Sequence, residues 1–376
     1  MKVGILTQPL KTNYGGLLQA YALQESLKIL GHNTWIIDRD YSHPNLQKKI
    51  LNKFKRIIPF GTYSLPPTSK EKEVIDQYTS YFRKRYISPT TEKITRSSEM
   101  TKLENLGFEA FVVGSDQVWR PGYSPCITNY FLDFVACEKG IKRISYAASF
   151  GVKEWEFSEQ QTKECSSLAR MFNAVSVREA SGIDLCKKYL GIDAVHVLDP
   201  TMLLNSEDYI NLVNNEEELD SSGDLMTYVL DITNEKEVFI KKIAENLGLT
   251  PFTVMQQEKL TRKTEINNSI FPPVTRWLKG FMDAKFVITD SFHGCVFSIL
   301  FNKPFIALGN KNRGLARFES LLKTFKLENR LITEFTVFNE EIFCNNFDWD
   351  YVNNILDNER NKSYQFLKNS LDKVKK

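Results

Sequence analysis

The feature that most constrains this chain is a recurring alternation: short apolar runs rich in β-branched residues, separated by longer segments of helical period. That alternation belongs to α/β proteins with mostly parallel sheets. The runs fall into two sets. The first comprises residues 2–7, 33–38, 110–114, 143–147, 174–178 and 194–198; the second comprises 225–230, 252–255, 285–289 and 304–308, with a short run at 330–332. Between the first two runs, Leu17, Leu18, Tyr21, Leu27 and Leu30 lie at roughly helical spacing, and Gly31 ends the segment as a C-terminal glycine should. Two alternating sets in 376 residues predict two α/β domains, 1–204 and 205–345, facing a cleft. The boundary follows Asp199-Pro200, where Pro200 holds Asp199 extended and a polar stretch, 205–224, begins. Residues 346–376 form a C-terminal helical segment whose lysine-rich end, 361–376, would pack across either domain.

Charge and composition remove several function classes. Forty-nine Lys plus Arg against 46 Asp plus Glu leave a formal charge of +3, so there is no protein-wide basic field of the kind that captures nucleic acid. No stretch reaches the ~18 consecutive apolar residues of a membrane span. The opening apolar run, Val3 to Leu6, is too short for a signal-peptide core and suits a first strand, so a cytoplasmic protein is expected. Six cysteines without a Cys-x-x-Cys pair and four scattered histidines signal neither a zinc site nor a disulfide framework. Within the excursion 41–106, Leu46, Ile50, Phe54 and Ile57 form a stripe flanked by Lys48, Lys49, Lys53, Lys55 and Arg56. Such a helix either docks its apolar face on the domain or lies peripherally on an anionic membrane surface.

Ligands of open α/β sheets bind beyond the carboxyl ends of the strands, which singles out four turns. After the first run, Gly15 and Gly16 open a helix, where free N–H groups suit an anion or a sugar hydroxyl, or else they make a tight turn. Asn13 and Gln19 are hydroxyl partners there, unless Asn13 is simply the N-cap. Asp38 would suit a ribose, but the Gly-x-Gly-x-x-Gly fingerprint is missing. After the third run, Asp116, Gln117 and Trp119 combine carboxylate, amide and aromatic face, a set that suits a sugar; Asp116 is a candidate general base or a turn cap. After the fifth, Arg178 offers a planar fork for phosphate or carboxylate, or pairs with Glu179 or another acid. In the second set, Ser291, His293 and Gly294 surround a helix start, an anion site holding a titratable ring, while Cys295 reads as core.

Several segments together resemble the polysaccharide pyruvyl transferase family: Asn13-Tyr-Gly-Gly-Leu-Leu-Gln-Ala-Tyr21, Gly114-Ser-Asp-Gln-Val-Trp119, Ser145-Tyr-Ala-Ala-Ser149, Ser176-Val-Arg-Glu-Ala-Ser181, Leu198-Asp-Pro-Thr201 and Thr289-Asp-Ser-Phe-His-Gly294, extended by Asn302-Lys-Pro-Phe305 and Arg317-Phe318. They span roughly residues 1–330 in order. The resemblance implies two Rossmann-like lobes facing a cleft, similar to the GT-B architecture. It implies transfer of the pyruvyl group of phosphoenolpyruvate onto two hydroxyls of a sugar, in a glycan or a lipid-linked precursor at the inner membrane face. A cyclic ketal forms, phosphate leaves, and neither metal nor cofactor takes part. His293 would be the acid, Asp116 the base and Arg178 the donor clamp, with Ser291, Gly294, Arg313 and Arg317 completing the donor site. Asn13, Tyr14, Gly15, Gly16, Gln19 and Trp119 would face the acceptor. Better-known members carry arginine two residues before the motif histidine; Ser291 stands there in this chain, which leaves Arg276, Arg313 or Arg317 to neutralise the donor. The rival readings are a GT-B glycosyltransferase using a nucleotide sugar and a non-catalytic carbohydrate-binding protein.

Overall fold

The computed structural model describes residues 1–41, 67–136, 140–261, 263–309, 314–335 and 347–372; the basic stripe at 46–58 and Arg313 lie outside them. Strands form where the sequence placed them: β1 (Lys2–Leu6), β2 (Asn33–Ile36), β3 (Ala110–Val113), β4 (Lys142–Ala148), β5 (Ala174–Val177) and β6 (Val195–His196), then β7 (Leu225–Tyr228), β8 (Pro251–Phe252), β9 (Phe286–Thr289), β10 (Phe305–Leu308) and β11 (Leu331–Ile332). The helices between them are α1 (Tyr14–Ile29), α2 (Ser69–Ile75), α3 (Gln77–Tyr86), α4 (Glu159–Ala169), α5 (Ser181–Leu185), α6 (Ser206–Asn214), α7 (Asn234–Leu247), α8 (Val274–Asp283), α9 (Phe292–Leu300), α10 (Ala316–Phe325) and α11 (Trp349–Leu371).

The strands make two sheets. The first has the order β2-β1-β3-β4-β5-β6 and the second β11-β10-β9-β7-β8, and every pair is parallel. Buried on both faces, β3 and β10 read as unbroken apolar runs, and β9 does so up to its last residue, Thr289, as parallel strands with helices on either side must. In each sheet the chain reverses direction beside the first strand of the set, between β1 and β3 and between β7 and β9. Those switch points are where an α/β sheet opens a crevice. These are two Rossmann-like sheets in a GT-B-like arrangement.

The halves are joined by packing rather than by a bare linker. One apolar cluster runs from Val3, Leu17 and Leu18 through Met202 and Tyr209 to Trp277 and Phe297. Tyr14 sits in that seam: its ring lies 5.7 Å from Trp277 and its hydroxyl donates to the carbonyl of Pro272 at 2.9 Å. The final helix, α11, starts well before the lysine-rich stretch and touches both halves, β4 on one side and α10 on the other. Its Ser363 accepts from the backbone N–H of Leu198, and its Arg360 donates to the carbonyls of Met202 and Leu204.

Candidate active site

The first sheet delivers three charged side chains to its carboxyl edge. After β3 the chain turns at Gly114, whose φ is +136° and where a Cβ would sit 1.9 Å from the carbonyl oxygen of Tyr146, so only glycine fits. Asp116 follows in a left-handed conformation, φ +65°, which aspartate tolerates better than most residues. Arg178 directly follows β5, and Asp199 lies beyond β6, fixed by Thr201, whose backbone N–H and hydroxyl both donate to its Oδ1. The Arg178 guanidinium bridges the carboxylates, Nη1 to Asp199 at 2.8 Å and Nη2 to Asp116 at 3.3 Å, with the side chain 1% exposed. Burial alone would raise both carboxyls; Arg178 and His293 more than offset it, and both lie below the ordinary carboxylate range.

The second half adds His293 and Arg317. His293, in the first turn of α9, reaches across the seam until its Nε2 is 3.6 Å from Asp199, close enough for charge attraction but too long for a hydrogen bond. No other partner satisfies that buried nitrogen among the described residues. Gly15 makes the approach possible, because a Cβ there would lie 2.0 Å from Nδ1 of His293. Phe292 packs beside the histidine, ring centroids 5.2 Å apart, with the Arg178 and Arg317 guanidinium carbons 4.6 and 5.8 Å from its ring. Arg317 opens α10, is 9% exposed, forms no ion pair among the described residues and leaves Nε without a partner. Burial, and after it the neighbouring Arg178, push it down to about 10 against the opposing pull of Asp116 and Glu179, so it stays a cation at neutral pH with no acid within ion-pair distance among the described residues.

Several expectations are corrected. Trp119 covers no ligand: it is fully buried, stacked on Phe131 at 4.9 Å, with its indole N–H donating to Tyr130. Gln19 is also fully buried, bonding to Thr7, Gly16 and the N–H of Ser115, and Tyr14 belongs to the seam between the halves. Gly15 makes room for His293 rather than for a sugar, and Gly16 lies against the side chain of its own loop's Asn13. Gly294 makes room for Thr289, whose Oγ1 would lie 2.1 Å from a Cβ. Arg178 presents no free fork, since acids take both Nη groups; its partners are Asp116 and Asp199, while Glu179 instead accepts the N–H groups of Phe150 and Gly151. Arg276 turns toward the carbonyl of Asp220, which leaves Arg317, of the candidates for neutralising the donor, as the one described at this cluster. Asn13, at the N-cap position of α1, makes no capping bond and stays exposed; Ser291 caps α9 without a side-chain bond. Asp199 was read only as a boundary turn, although its motif with Thr201 was visible.

Among the described residues no group of His, Cys, Asp and Glu has the makings of a metal site, and no helix is long and apolar enough to cross a membrane. A family model described as polysaccharide pyruvyl transferase matches residues 13–312. No curated protein matches the chain. Among solved structures, the UDP-GlcNAc 2-epimerase of Neisseria meningitidis bound to UDP-GlcNAc aligns with a TM-score of 0.53 at 12% identity, covering 99% of each chain. The UDP-GlcNAc 2-epimerase of Methanocaldococcus jannaschii in complex with UDP-GlcNAc and UDP aligns at 0.47 and 13%, covering 98% of each. At these identities the likeness describes the fold alone.

Proposed function

The chain belongs to the polysaccharide pyruvyl transferase family and is a transferase, and from that premise we propose that it moves the pyruvyl group of phosphoenolpyruvate onto two hydroxyls of a glycan or lipid-linked glycan precursor. The observation that carries this reading is Arg317, a nearly buried guanidinium that makes no ion pair among the described residues and stands against Phe292, next to His293 with its unsatisfied Nε2. A donor with a phosphate and a carboxylate supplies the missing charge. Arg317 and the open N-terminus of α9, with Ser291 at its cap, bind it as fixed positive groups.

The chemistry then divides among the named side chains. His293, held by Asp199 on one side and Gly15 on the other, gives a proton to the methylene carbon of the donor. Positive charge develops at C2, and the first sugar hydroxyl adds there. The adding oxygen becomes an oxonium, which is strongly acidic, so Asp116 can take its proton even though Arg178 holds that carboxyl below the usual range and makes it a weak base. The C–O bond to phosphate breaks, inorganic phosphate leaves, and the second hydroxyl adds to C2 and loses its proton to close the ketal. Arg178 acts through the two carboxylates it spans, not on the donor. Asn13 faces the acceptor. Consumption of phosphoenolpyruvate sets the reaction on the cytoplasmic side.

The test is incubation with phosphoenolpyruvate and a panel of galactosides and N-acetylhexosaminides, following phosphate release and product mass. The expected result is one phosphate per ketal formed, with phosphoenolpyruvate raising the melting temperature. Stabilisation by a UDP-sugar and none by phosphoenolpyruvate would overturn the reading.

A further inference from the structure

The loop from β1 to α1 separates the site from a second crevice of different charge. Lys11 lines two adjoining cavities. One, of about 80 Å³, reaches Arg83 and Lys93; the other, of about 320 Å³, reaches Lys259 and Phe271 of the second half, and Lys72 borders both. The linings hold five cations, Lys11, Lys72, Arg83, Lys93 and Lys259, against the carboxylates of Asp40 and Asp76. Asp40 is already engaged by Lys11 at 3.0 Å and Lys93 at 2.9 Å. Asp76 is met only loosely, by Lys72 at 4.0 Å, and Arg83 stands 4.0 Å from Asp38. Lys259 has no ion pair among the described residues. A concave wall with surplus lysine charge concentrates the field on a compact, highly charged anion, and phosphate suits such point charges.

Beyond Lys259 the surface changes character. A cavity of about 480 Å³ at the carboxyl ends of β7 and β8, which Lys259 also lines, mixes apolar side chains such as Val229 and Ile240 with the polar Thr227, Asp231, Gln257 and Glu258. Hydroxyls, amides and carboxylates exchange hydrogen bonds with sugar hydroxyls, and the two acids repel phosphate. Lys11, in the loop before α1, and Gly15, which touches His293 from the first turn of α1, are four residues apart, at most about 14 Å even if the chain were fully extended.

We propose that the lysine crevice binds a phosphate or pyrophosphate group, the anionic end of a phosphorylated glycan acceptor. Assignment to the acceptor rests on the transfer reaction proposed above; binding of the anion does not.

The probe is inorganic pyrophosphate, titrated calorimetrically into the full chain with phosphoenolpyruvate saturating. Binding weakened tenfold or more in Lys11→Gln/Lys72→Gln and in the exposed Lys259→Gln, but retained in Arg317→Ala, is the expected result. Unchanged affinity in the lysine variants, or loss confined to Arg317→Ala, would overturn the site. The phosphoenolpyruvate-induced rise in melting temperature, retained in the lysine variants, certifies their fold. If phosphoenolpyruvate shifts no protein while pyrophosphate binding keeps its lysine dependence, the transfer reaction falls and the anion site stands. With an acceptor in hand, competition between pyrophosphate and that acceptor supports the assignment; binding without competition marks a free phosphate effector and overturns it.

Discussion

The two sheets have matching switch points and fill them in opposite ways. At the second, between β7 and β9, Asp290 accepts the N–H groups of Leu230 and Asp231 and the ammonium of Lys236, so the charge cluster is closed on itself by an ion pair, beside the cavity at the carboxyl ends of β7 and β8. At the first, between β1 and β3, the carboxylates of Asp116 and Asp199 are tied to one arginine, and the other half of the chain leans in with His293 and Arg317, each with a nitrogen left unpartnered among the described residues. Both are buried charge clusters after a strand. The difference lies in what is left over: a complete set of partners makes structure, and a surplus of donors makes a place for an anion.

That contrast can be broken or sharpened by substitution. His293→Ala should cut turnover by ~10²–10⁴-fold while leaving the melting temperature close to wild type; unchanged phosphate release would remove the histidine from the chemistry. Asp290→Ala, on the closed side, should do the reverse. It strands the Lys236 ammonium, and the loss of stability read by denaturant unfolding should be ~3–5 kcal/mol, with donor affinity per folded molecule retained. Arg317→Ala should weaken phosphoenolpyruvate by ~1.5–3 kcal/mol, the worth of hydrogen bonds to a charged group, and leave stability level or higher because an unpaired buried cation disappears. A matching loss of stability would show that Arg317 is structural after all.

The smallest effect concerns pH. Asp199 is held below its unfolded value, so its contribution is fully present above the unfolded pKa of ~3.9 and is lost as pH falls through that value toward the folded one. Asp199→Asn should therefore flatten the acid limb of a stability–pH curve below about pH 4 and leave its slope between pH 5 and 8 unchanged. A changed slope near neutrality would place the coupling on another group.

What could be read from the sequence was local. Apolar runs marked the strands among the described residues, with ends a few residues long at β2, β6 and β8, because an apolar run does not stop where the regular ladder does: Ile37, one residue past β2, still donates its N–H to Ile5. His293 was legible because a strand leads straight into its helix. Trp119 misled because an aromatic at a sheet edge serves core and ligand equally well, and only the arrival of Tyr130 and Phe131 decides between them. Arg178 was ambiguous for the same reason, since its partners come from the turn after β3 and from the segment after β6. Asp199 was hidden by Pro200, which makes a turn residue of it locally, while its meaning comes from Arg178 and from a histidine far downstream.

The hold of α11 on the stretch from Leu198 to Leu204 has a consequence for biosynthesis. Ribosomes emit that helix after both sheets, so a nascent chain long enough to have made every strand still has Asp199 on an unclamped segment. The clamp on the segment that carries Asp199 is thus completed only once α11 has emerged, and a chain cut short before that helix would carry both sheets without it.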